Sequence, residues 1–195
     1  MPNWCSNCLK VCGSKENLQA FTDTCTDNEI TLETHVPMPE ILNGTEVCFG
    51  GPEPTEQQKL DTEERVKQTG SADWYSWSLS NWGTKWNIDP STLEIGEDVT
   101  AHFDTAWSPP TSWLQSVSKL FPELTFTLYF SEGGMGFYGY CSVEGGEILE
   151  DVTYHDFFKP REDRVESDEE ECDYTTSLTD ACKEFLNEHG LGIGG

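Results

Sequence analysis

At Pro122 the hydrophobic period of this 195-residue chain switches from helical to extended, and that switch leaves few folds open. Ahead of it, Trp113, Leu114, Val117, Leu120 and Phe121 fall on one apolar face of a helix. Behind it, Leu124, Phe126, Leu128 and Phe130 alternate with Thr125, Thr127 and Tyr129, the pattern of a half-buried strand. Ser108-Pro109-Pro110 opens the helix, because Pro at the first helical position gives up no hydrogen bond. Val99 to Trp107 reads as a strand ahead of it. Gly133-Gly134 turns the chain into a return strand with Phe137, Gly139, Cys141 and Val143 on one face, and Gly145-Gly146 turns it into Ile148 to Tyr154.

The first half repeats the theme. Residues 1–12 read as a strand, Ser14 caps a helix carrying Leu18, Phe21 and Cys25, and Glu29 to His35 is β-like. Residues 36–86 read as an insertion punctuated by Pro37, Pro39, Pro52 and Pro54. Within it, Thr55 to Gln58 has capping-box spacing for a polar helix that ends at Gly70, and Asp73 starts a tryptophan-rich segment. Near the end, Ser177-x-x-Asp180 caps a helix with Leu178, Ala181, Cys182, Phe185 and Leu186 on one face and Gly190 behind it. The expected architecture is an α+β split β-α-β sandwich: a mainly antiparallel sheet, helices on one face, a helical Trp-rich insertion and a C-terminal helix. Residues 1–155 form the domain; residues 156–195 hold an acidic loop and the last helix.

Charge narrows the partners. There are 36 acids against 11 bases, a net charge of −25, and from residue 131 onward 17 acids face 4 bases. Such a chain is repelled by nucleic acid and by anionic membrane, and no apolar run is long enough to span a bilayer. It is attracted to a basic protein, including one whose basic cleft normally holds nucleic acid. Glu162, Asp163, Glu166, Asp168, Glu169, Glu170, Glu171 and Asp173 form the densest row of carboxylates and are the candidate partner-binding residues. The plainer reading of that row is a solvated linker. The opening Met1-Pro2-Asn3-Trp4-Cys5 has neither the basic nor the apolar region of a secretory signal, which points to a reducing cytoplasm and to free thiols.

Chemical motifs are sparse. Cys5-Ser6-Asn7-Cys8 has metal-ligand spacing, but on a strand the two side chains point to opposite faces, so no metal is expected. Gly134-Met135-Gly136-Phe137-Tyr138-Gly139 matches a dinucleotide fingerprint yet opens a strand rather than a helix, so its glycines serve a turn and close packing, and no cofactor is expected. His102 and Asp104 share a strand face, a weak acid–base pair; no catalytic residue is assigned. Trp74, Trp77, Trp82 and Trp86 lie within 13 residues. They form either a small core that docks the insertion, with Lys85 stacked on a ring, or an aromatic binding patch.

Three blocks in order, Met1-Pro2-Asn3-Trp4-Cys5-Ser6-Asn7, Asn81-Trp82-Gly83-Thr84-Lys85-Trp86-Asn87 and Phe103-Asp104-Thr105-Ala106-Trp107-Ser108-Pro109-Pro110, resemble a phage and conjugative-plasmid family that carries a YubB-type, ferredoxin-like domain. The resemblance covers residue 1 to about 155. It implies a ferredoxin-like α+β fold without an iron–sulfur cluster and a bacteriophage or mobile-element origin. It transfers no catalytic residue, and the family opening keeps the Cys5 position without a paired second cysteine. Two functional classes follow. One is a non-catalytic accessory protein that binds and inhibits a basic host factor, such as a defence or nucleic-acid-binding protein, through a DNA-mimicking acidic surface. The other is a small phage enzyme or nucleotide-binding protein with a pocket near the Trp-rich block.

Overall fold

The computed structural model describes residues 2–47, 53–159 and 178–193. Its frame is a six-stranded antiparallel sheet. Strand β1 (Trp4–Cys12) lies between β5 (Val99–Ala106) and β6 (Thr125–Glu132), antiparallel to both. β5 and β6 therefore run the same way, and α4 (Thr111–Leu120) joins them. This is a split β-α-β unit with the amino-terminal strand filling the gap. β7 (Phe137–Glu144) and β8 (Glu147–Tyr154) continue the sheet beyond β6. Short β4 (Glu94–Ile95) covers only the Val99–Thr100 end of β5.

One sheet face carries Leu9, Val11, Val99, Ala101, Phe126, Leu128 and Val143. It is covered by Leu18 and Phe21 of α1 (Lys15–Thr22) and by Trp113, Leu114 and Val117 of α4. The polar helix α2 (Glu56–Thr69) buries none of its residues, and its Thr55–Gln58 capping box and left-handed Gly70 match the sequence reading. α3 (Trp74–Asn81) packs on α4. The last helix, α5 (Asp180–His189), lies on the opposite face, where Cys182 and Leu186 meet Cys8, Tyr138 and Phe157. Its cap is Thr179, whose hydroxyl accepts from the Cys182 amide at 3.1 Å, not Ser177. Among the described residues no helix is long and apolar enough to cross a membrane.

The β-like reading of Glu29 to His35 fails after two residues. β2 (Glu29–Ile30) pairs only with β3 (Ser91–Thr92), outside the main sheet. Thr31 and Thr34 then cap each other around a 3-10 turn at Leu32–Thr34, so local side-chain bonds displace the strand. The glycine motif behaves as expected. Gly136 takes a positive φ of 72° in the β6–β7 turn, and a Cβ at Gly139 would overlap the Val152 carbonyl.

His35 gives the fold a pH dependence. Its ring stacks on Phe21 at 5.4 Å, and burial pushes its pKa down to about 4. The native state thus takes up a proton later than the unfolded chain as pH falls. Stability present above about pH 6.5 is lost on descending toward pH 4, by roughly 1–3 kcal/mol. Urea unfolding at pH 7 and 4.5, with the His35 ring proton followed by NMR, checks this. A ring midpoint near 6.5 would remove the effect.

Candidate functional site

The bare stretch of β5 beyond β4 borders a recess that gathers residues from the sequence reading. His102 and Asp104 project from one face of β5, opposite Cys8 and Ser6 of β1. Residues 86–92 run alongside, held by the Ser91 hydroxyl on the His102 carbonyl (2.7 Å) and by the Asn87 side chain on the Leu32 amide (2.9 Å). Together with Trp4 these residues enclose about 530 Å³. Trp4 and Trp86 are each 39% exposed and supply aromatic wall; Asp89 and Asp104 supply carboxylates. Burial raises the Asp104 pKa, opposed by a hydrogen bond from Ser6.

The four tryptophans of the insertion divide between two roles. Trp77 and Trp82 are interior, edge to face at 5.2 Å, with the Trp82 indole N–H on the Val36 carbonyl. Trp74 packs partly against the same core. Trp86 alone of the four is substantially exposed, with the Lys85 ammonium 4.4 Å from its ring centre, the cation–π stack read from the sequence. On the other side of Trp86 a second recess of about 360 Å³ carries Trp74, Lys85, Glu33 and Met38. Trp86 is therefore a partition between two concavities, and an aromatic patch could be met by a partner only at Trp86 and the edge of Trp74.

Nε2 of His102 lies 3.8 Å from the Cys8 sulfur, but burial raises the Cys8 thiol, so this pair does not generate a thiolate at neutral pH. Burial likewise raises Cys5, Cys12, Cys25, Cys141 and Cys182. Cys5 and Cys8 do lie on opposite sheet faces. Among the described residues no three His, Cys, Asp or Glu converge as a metal-binding group. The row from Glu162 to Asp173 falls outside the described residues. Trp4 and the 87–92 wall escaped the sequence reading. Trp4 looked like an ordinary strand residue, and only its pairing with Ala106, a hundred positions away, brings it here.

An antiparallel sheet built around a split β-α-β unit, with helices packed on it, defines a ferredoxin-like α+β fold. Residues 81–179, half of the chain, match the family described as the ferredoxin-like domain in Api92-like protein. The chain belongs to that family. The crystal structure of a protein api92 from Yersinia pseudotuberculosis is similar at a TM-score of 0.51 and 12% identity, over 79% of this chain and 98% of that one. That likeness shows the fold alone. No curated protein matches the chain.

Proposed function

We propose that this protein is a non-catalytic binding protein that captures and blocks a basic partner, of the nucleic-acid-binding kind, through its acidic surface. The observation that carries the reading is the excess of 36 acids over 11 bases. Ion pairs in the described residues engage Asp98, Glu56 and Asp180. Glu147, Glu150 and Asp151 stand exposed on the edge strand β8. A carboxylate row attracts a basic cleft through the same long-range field that draws phosphate. The YubB-type resemblance supports a phage or mobile-element accessory role in a bacterial cytoplasm, where disabling a host defence or nucleic-acid-handling protein is useful. The 530 Å³ recess favours a second reading, a small-molecule or nucleotide pocket at Trp4, Trp86, His102 and Asp104.

A partner isolated by affinity pull-down from the bacterial host tests the first reading. Changing Glu166, Asp168, Glu169, Glu170 and Glu171 to Gln and Asn should slow association about tenfold or more while leaving the melting transition in place. Binding should weaken as salt rises, and DNA should compete. Equal binding at low and high salt, with the neutralised row binding as before, would make the row a solvated linker. Saturable nucleotide binding abolished by Trp86→Ala would support the second reading.

A further inference from the structure

Where α5 ends, the sheet face opposite α1 and α4 is left with a recess of about 410 Å³ that shares no residue with the tryptophan site. Tyr129 of β6, Tyr140 of β7, Tyr154 of β8 and Phe185 of α5 supply its rings, and Glu150 and Glu188 its two carboxylates. The rings are mutually braced. Tyr129 and Tyr140 lie 6.0 Å apart, Tyr129 and Phe185 meet edge to face at 6.2 Å, and His189 stacks on Tyr129 at 3.7 Å. The Tyr140 hydroxyl donates to Glu150 at 3.1 Å, which aims that carboxylate along the ring.

We infer that this recess binds the guanidinium head of an arginine side chain carried by a basic protein segment. Aromatic faces carry negative potential, and several rings with carboxylates beside them form a cage for an organic cation. Among the described residues no lysine or arginine lines the recess. Lys10, the base whose field reaches Tyr129 and His189, is tied to Asp98 at 3.0 Å. Burial lowers the His189 pKa, so the stacked imidazole is neutral at pH 7 and does not cancel the attraction. A guanidinium is planar, stacks on a tyrosine face and forks onto a carboxylate, which matches rings and acids arranged side by side. The partner's class rests on the reading of this chain as a binder of basic proteins; the cation site itself rests on the geometry.

The test is aromatic NMR of the tyrosine-labelled full chain titrated with N-acetyl-arginine methylamide, beside a separate titration with deca-arginine. The Tyr129, Tyr140 and Tyr154 rings should shift and saturate on the order of millimolar ligand. Combined Glu150→Gln and Glu188→Gln should weaken this about tenfold. Trp86→Ala should leave it unchanged, and N-acetyl-lysine methylamide should bind several-fold more weakly. Unmoved tyrosine rings, an unaffected double variant, or equal affinity for the lysine compound would overturn the assignment. If deca-arginine still binds with salt dependence while the single arginine leaves the rings unmoved, the cage falls and the acidic-surface reading stands. If the single arginine shifts the rings and deca-arginine shows no salt-dependent binding, the cage stands and the acidic-surface reading falls.

Discussion

Replacing Trp113 with Ala should destabilise the protein by about 3–5 kcal/mol, toward the upper end of that span. The indole is fully buried in the first turn of α4, and its N–H donates to the Leu32 carbonyl at 2.9 Å. Truncation leaves a ring-sized cavity between α4 and the 3-10 turn and removes that carbonyl's indole donor, which adds a desolvation cost. Small domains are stable by only about 5–15 kcal/mol, so much of the margin would go. Trp113→Phe keeps most of the volume and loses the hydrogen bond, and should cost about 1–3 kcal/mol. Trp86→Ala, at a half-exposed ring, should cost less than either. Urea unfolding of the three variants gives the ranking; a Trp113→Ala midpoint equal to that of the parent would refute the packing described for α4.

The second large effect is expected at Glu132, a fully buried carboxylate at the end of β6. One oxygen accepts from the Gly134 amide and the other from the Met135 amide, each at 2.7 Å. Leaving a buried donor without its acceptor costs about 1–3 kcal/mol per donor. Glu132→Ala strips both and should cost about 3 kcal/mol or more, with the β6–β7 turn opening first. Glu132→Gln is not a rescue, because its amide N–H2 would face one of those N–H donors. Amide exchange at Gly134 and Met135 should accelerate in both variants ahead of the rest of the sheet. Exchange at the parental rate would show that the turn holds without the carboxylate.

Why some of this was legible in the sequence and some not has physical causes. α4 and β6 to β8 could be read almost to the residue because Pro122 and the paired glycines separate two clean hydrophobic periods. Ser14, Thr55, Gly70 and Gly190 marked helix ends because capping is local. β5 stops at Ala106 rather than Trp107 because Trp107 turns to a φ of 72°, which its side chain does not announce. The tyrosine recess was hidden in plain alternation. Tyr129 and Tyr140 occupy outward positions that read as solvent-facing, and Phe185 and Glu188 join them only because α5 chooses that face of the sheet. Neither that choice nor the central place of β1 is encoded in any window of neighbouring residues.

The position of β1 also sets a timetable for synthesis. Cys8 finds His102 on one side and Tyr129 on the other, partners that leave the ribosome roughly 100–120 residues later. At elongation rates of about 5–20 residues per second, the middle strand waits on the order of 5–25 s before both hydrogen-bonding edges can be filled. The amino-terminal half therefore cannot complete the sheet as it emerges: β5 becomes available to β1 first, and β6 only later. During that wait Leu9 and Val11, which the finished core buries, are an exposed apolar stripe of the kind that chaperones cover.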